Sequence, residues 1–228
     1  MGLGGYGVDQ AYLWYRRDGT RLDHDLQLLS VLTADFRRMR SDRFMGYGKP
    51  LLAVRNDSLV ITNLPVPRTS WLTRRRALHG ETLGRLNMVR LARRLLGLDN
   101  VPDADARTQE TERLRAVAAL IFADLDQLNT ARNSRLVLVY LPGAWDYRPD
   151  ADTDAWRSFV RAEAARRDIT LFDLVEELRR VPPTEVDALY APNAHFSAAG
   201  NAWAAQVLYR RLQPLLDSMR ADTALAVR

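Results

Sequence analysis

The chain has 228 residues, 47% of them hydrophobic, a formal net charge of +5 and no cysteine. These values fit one globular domain with a sizeable core, and they exclude a disordered chain, a disulfide framework and thiolate chemistry. No apolar run reaches the roughly 18 residues of a membrane span and no charged-then-apolar leader opens the sequence, so a cytoplasmic location is the default expectation.

In chain order, Gly2 to Gly7 is a glycine-rich opening, with Asp9 the expected N-cap of a helix through Ala11, Leu13 and Tyr15 that stops near Gly19. Leu26–Thr33 is a nearly continuous apolar run of strand length, which suits a parallel strand covered on both faces. Leu51–Asn63 reads as two short strands turning at Asn56-Asp57, a β-hairpin inserted into the main pattern. Thr69–Leu98 is a long Arg-rich helical stretch, residues 99–107 a polar loop, and Thr108–Asn129 a helix with Leu114, Val117, Ile121 and Leu125 on one face. A second buried strand follows at Arg135–Leu141, then a helix across Ala155–Arg166, a third strand at Ile169–Leu174, and a last helix starting after Ser197. The alternation predicts an α/β protein, a three-layer α/β/α sandwich with parallel pairing. A single domain spans 1–228, with the insertion at about 43–106.

Lys49 is the only lysine among 33 basic residues, which reads as a coding preference for arginine, so the charge predicts no nucleic-acid partner. There is no HxxxH spacing and no cysteine cluster, so no metal or other cofactor is expected. His24 and His79 read as surface histidines. Asp9, Asp35 and Asp173 lie near strand ends but read as helix caps or arginine partners, and Trp145, Tyr147 and Arg148 could line a pocket.

In open α/β sheets, chemistry gathers outside the carboxyl ends of the strands. Two segments stand out. Gly4-Gly5-Tyr6-Gly7-Val8-Asp9-Gln10 puts bare backbone just before a helix, where N–H groups can face an anion or a developing oxyanion. Asn193-Ala194-His195-Phe196-Ser197-Ala198-Ala199-Gly200-Asn201 opens into the last helix with Ser197 as its cap, and holds a histidine whose type titrates near neutrality and suits general-base work.

These two blocks resemble the glycine and histidine blocks of SGNH (GDSL-like) hydrolases, and their order agrees with that family's flavodoxin-like sheet. The resemblance implies ester hydrolysis or acyl transfer, with the Gly5 N–H in the oxyanion hole and His195 as the base that activates a serine. It places Tyr6, Ala34 and Asp35 beside the substrate, a small-molecule, glycan or lipid ester.

Three departures stand against it. Thr33-Ala34-Asp35-Phe36 occupies the position of a Gly-x-Asn-Asp block, so Ala34 replaces an amide donor. Asn193, or Pro192 on another spacing, stands where a carboxylate would orient His195, and losing such a charge can cost about 10⁴ in kcat. The Gly-Asp-Ser block of the nucleophile and its strand are missing from the sequence. Two explanations are open: a protein that begins upstream of Met1, or a relative that has lost catalysis and serves as a binding or interaction module. A missing first strand would also leave Leu26–Thr33 with an open edge through which the chain could oligomerise.

Arg68–Arg94 holds eight arginines against one acid, Glu81, interleaved with Trp71, Leu72, Leu78, Leu83 and Leu86. Peripheral docking to an anionic membrane and a solvated arginine face are the competing readings, and such charge runs are usually solvated. Co-sedimentation at low salt is therefore expected to recover equal amounts with neutral and anionic vesicles; preferential recovery with the anionic ones would favour docking.

Overall fold

The computed structural model describes residues 5–44, 47–66, 68, 71, 103–148 and 151–226. Gly2, Gly4 and, apart from Arg68 and Trp71, the Arg-rich helical stretch therefore lie outside the described residues. The chain is a mixed α/β protein that divides into two compact units, residues 1–23 with 34–125, and residues 24–33 with 126–228.

The second unit is built on a three-stranded parallel sheet. Strands β1 (Leu26–Val31), β6 (Arg135–Tyr140) and β7 (Thr170–Asp173) lie in the order β1-β6-β7, with Leu29 opposite Leu138 and Val139 opposite Phe172. These are the three predicted runs, shortened by one or two residues. Leu136 through Tyr140 are all buried, so β6 is covered on both faces as its unbroken apolar sequence requires. Val137 and Val139 share a cluster with Phe172, Leu174, Ala204 and Val207, the last two from the long C-terminal helix. β1 departs from expectation: Leu29 and Val31 are buried, but Leu28 and Ser30 are exposed. As the outer strand of the order it is covered on one face, and the alternation it carries is that of a half-buried strand.

The turns entering β6 and β7 share one device. Asn133 and Asp168 adopt left-handed backbone at φ +56° each, the residue types that tolerate it best after glycine. The next N–H then reaches back five residues, Ser134 to the Asn129 carbonyl at 3.0 Å and Ile169 to that of Ala164 at 2.9 Å. This closes the preceding helix and turns the chain into the sheet. Buried Asn129 also donates from its side chain to Gln27 Oε1 on β1 at 2.6 Å and accepts from Ser134 Oγ at 2.7 Å.

The first unit contains α1 (Val8–Arg17), most of α2 (Thr33–Arg38), an antiparallel pair β4 (Leu51–Arg55) and β5 (Ser58–Thr62), and α3 (Ala104–Thr130) up to Leu125. Two shorter strands, β2 (Arg43–Phe44) and β3 (Tyr47–Gly48), pair with each other. α3 starts four residues before the expected Thr108, because Asp103 Oδ1 accepts from the Ala106 N–H at 2.6 Å and caps it there. Asp9 is not the cap of α1. The helix begins at Val8 with Gly7 in the cap position, and Asp9 is buried in the first turn.

Asp9 is inside because it has a partner, Lys49, whose Nζ donates to Asp9 Oδ2 at 2.9 Å with both side chains almost wholly excluded from water. The other Asp9 oxygen accepts from the Gln10 N–H at 2.9 Å. Burial pushes the Asp9 carboxyl above its ordinary range, and the Lys49 charge offsets this only in part. The native chain then holds the Asp9 proton more tightly than the unfolded chain. This contribution to stability is fullest below the ordinary carboxylate range and falls as pH rises through the folded-state value. Among the described residues, no helix is long and apolar enough to cross a membrane.

Removing one member of a buried pair strands the other charge. Lys49→Met is expected to cost about 3–5 kcal/mol at neutral pH and measurably less in acid, where Asp9 takes up a proton. Urea denaturation at the two pH values checks this, and a cost that does not shrink in acid would contradict it.

Candidate functional site

His195 lies in the second unit, on the loop that leads into the C-terminal helix α7 (Ala198–Ala226). Nearly every backbone direction of this loop is fixed. Ser197 caps α7 as expected, accepting from the Gly200 N–H at 3.1 Å while its own hydroxyl donates to the Ala188 carbonyl at 2.7 Å. The Ser197 N–H donates to the Leu189 carbonyl, the Ala191 N–H to that of His195, and the Ala194 N–H to that of Ala191, at 2.8–2.9 Å. Gly200 is needed for a close approach, since a Cβ there would lie 2.0 Å from the Leu189 carbonyl oxygen. Phe196 packs against the apolar cluster under the sheet, its ring 5.1 Å from Tyr190 and 6.1 Å from Trp203.

The result is an exposed imidazole on a rigid support. Its neighbour Ala194 is held at φ +62°, a conformation unfavourable for alanine that persists only because the surrounding bonds determine it. Among the described residues no hydrogen bond reaches the imidazole. Asn193, also exposed, turns its Oδ1 to the backbone N–H of His195 at 3.4 Å, and so fixes the loop instead of the ring.

Close to the carboxyl ends of β1 and β6 in the same unit runs a buried chain of hydroxyl groups that sequence reasoning missed. Tyr140 and Thr33 are 2.9 Å apart through their oxygens, Thr33 Oγ1 makes a longer 3.4 Å bond to Thr153 Oγ1, and Thr153 Oγ1 donates to Asp146 Oδ1 at 3.0 Å. The other Asp146 oxygen accepts from the Gly143 N–H at 2.7 Å. A carboxylate only accepts, so Thr153 must donate to it, Thr33 to Thr153, and Tyr140 to Thr33. The chain of donors therefore runs one way and ends on Asp146. Burial, with the nearby Asp146 and Asp173 charges, pushes the Tyr140 phenol upward, which keeps it a donor.

Asp146 thus anchors the turn that follows β6. Arg179 fastens it from the far side, donating from Nε to the Asp146 carbonyl at 3.0 Å and from Nη2 to Asp154 Oδ1 at 2.8 Å. Trp145 projects from this turn with 68% of its surface exposed, and Arg148 lies over the Tyr147 ring at 4.9 Å. Asp173, at the end of β7, has the bland role anticipated for it. One oxygen caps helix α5 (Leu174–Leu178) through the Val175 and Glu176 N–H groups, and the other accepts from Arg157 at 2.6 Å and Arg161 at 2.8 Å.

The glycine block belongs to the first unit. Gly5 is at φ +83° with the Phe44 ring against its Cα, where a Cβ would lie 1.9 Å from a ring carbon, so no other residue fits. The Tyr6 carbonyl accepts from Arg38 at 3.3 Å, and the same Arg38 nitrogen pairs with Asp35 Oδ1 at 2.5 Å. Two of the predicted substrate-side residues, Tyr6 and Asp35, therefore meet through an arginine. Ala34, partly buried, sits in the first turn of α2.

Among the described residues, no group of three or more acidic or histidine side chains could hold a metal ion. Comparison with protein-family models, with curated proteins and with solved structures gives no match to this chain.

The direction of the hydroxyl chain predicts unequal costs along it. Asp146→Asn leaves one acceptor where two donors arrive, and is expected to lower stability by about 1–3 kcal/mol. Tyr140→Phe removes only the first donor and is expected to cost about 1 kcal/mol or less. Chemical denaturation compares them; a Tyr140→Phe cost equal to or above that of Asp146→Asn would reverse the assigned direction.

Proposed function

We propose that this chain carries the histidine part of an acyl-ester hydrolase or acyltransferase site of the SGNH type, on a three-layer, flavodoxin-like sandwich with an inserted β-hairpin. The observation that carries the reading is the His195 loop: an exposed imidazole beside a strained Ala194, on a support pinned by Ser197, Gly200 and Phe196. A loop so over-determined around a solvent-facing histidine suits a base that must meet its substrate without reorganising. In this reading a serine attacks the ester carbonyl, and His195 takes the serine proton and returns it to the leaving alkoxide. The substrate is a small-molecule, glycan or lipid ester.

A second reading is a non-catalytic binding module of the same fold. It draws on Asn193, whose side-chain oxygen is directed to backbone, and on the lack of a Gly-Asp-Ser block in the sequence.

The two readings separate in an esterase assay. The 228-residue chain is expected to hydrolyse p-nitrophenyl acetate no faster than its His195→Ala variant. A form that also carries a Gly-Asp-Ser segment ahead of residue 1 is expected to gain activity, and to lose it when that serine or His195 is replaced. Robust His195-dependent turnover by the 228-residue chain would refute the missing nucleophile. An extended form that stays silent on a broad ester panel would favour the binding module.

A further inference from the structure

Two segments of the second unit face the carboxyl side of the sheet: the turn after β6, Gly143–Tyr147, and the loop Tyr190–Ser197 that carries His195. Each has its own anchors. Asp146 and Arg179 hold the turn, while Ser197 and Phe196 hold the loop. The Tyr190 side chain joins them. The Tyr190 hydroxyl shares its proton between the Pro142 carbonyl at 3.3 Å and the Gly143 carbonyl at 3.2 Å, while its ring packs on Phe196 and its backbone bridges to that residue.

We infer that Tyr190 is a positioning residue that makes the turn and the His195 loop move as one body, so that a molecule resting on Trp145 meets the imidazole at a set separation. The functional meaning of that coupling rests on the acyl-ester reading of His195; the coupling itself does not. Three features support it. Tyr190 is partly buried, and burial together with the Asp146 charge pushes its phenol upward, so it stays a donor over the whole neutral range. Its acceptors are the carbonyls that begin the turn, and the Gly143 carbonyl also takes the Asp146 N–H at 3.1 Å. Trp145, beside that N–H, is among the most exposed large apolar residues of the described chain.

Without the hydroxyl, each segment would open and close by its own local equilibrium. With it, loosening one should loosen the other. Thr153→Val tests this because Thr153 supports the turn by donating to Asp146 Oδ1.

Native-state amide hydrogen exchange on the full chain reads the coupling, with Val137 and Val139 in β6 reporting global stability. Thr153→Val is expected to speed exchange at the Asp146 N–H and, through Tyr190, at the Ala191 and Ala194 N–H groups, each roughly fivefold, the size of one neutral hydrogen bond. Tyr190→Phe keeps the ring contact with Phe196 and loses only the hydroxyl. In that background, Thr153→Val is expected to speed exchange at Asp146 alone.

If Thr153→Val leaves the His195 loop unchanged while Tyr190 is intact, or if the loop responds equally in the Tyr190→Phe background, the inference fails. Acceleration that appears equally at Val137 and Val139 would show a global loss of stability and would also count against it. Because the measurement needs no turnover, a chain without esterase activity can still pass it, and a coupled loop can still belong to the binding module.

Discussion

The paired registry of β6, with β1 on one side and β7 on the other, is the constraint from which most of the second unit follows. A strand buried on both faces has no water for its backbone, so every N–H and C=O must be met by a neighbouring strand. Parallel neighbours need crossovers, and the long helices Ala104–Thr130 and Ala151–Arg166 occupy those connections. Once the strands run the same way, the groups that follow their carboxyl ends gather on one side of the sheet. Thr33, Tyr140, Asp146 and Asp173 are there because the ladder puts them there. Their hydrogen bonds then decide which loops are stiff.

Much of this was legible in the sequence, for physical reasons. Arg135–Leu141 announced itself because an apolar run bounded by polar residues has few alternatives, and Ser197 because a small hydroxyl residue before a helical pattern has a specific job. The apolar run Leu26–Thr33 predicts a strand covered on both faces. Gln27 and Ser30 were the polar clues within it, but they sit on opposite faces of a strand, so composition alone could not say which face would be open. Asn129 supplied what Gln27 needed from another segment, and no local pattern shows such a partner.

The site was less legible for a different reason. Single residues can be placed on loops by pattern, but a chain of hydrogen bonds joins positions more than 100 residues apart, as Thr33 and Tyr140 are. The only trace of it in the sequence was a tyrosine closing the apolar run Leu136–Val139 and an acid in the turn behind it. Asp9 was misread because its position before a helical pattern matched a cap. Its true partner, Lys49, lies 40 residues away. A buried charge is intelligible only together with its counter-ion, and the two need not be close in sequence.

The burial of Lys49 has a practical chemical consequence. In a chain whose cationic groups are otherwise guanidinium, the only side-chain primary amine is 4% exposed and held by a carboxylate. Reagents that acylate amines, including the usual cross-linkers, biotin esters and fluorescent labels, find no side chain to react with on the folded protein. Lysine acetylation has no accessible target either. When the first unit opens, that amine is uncovered, so the extent of amine acylation at residue 49 becomes a direct reading of how often this unit is undone.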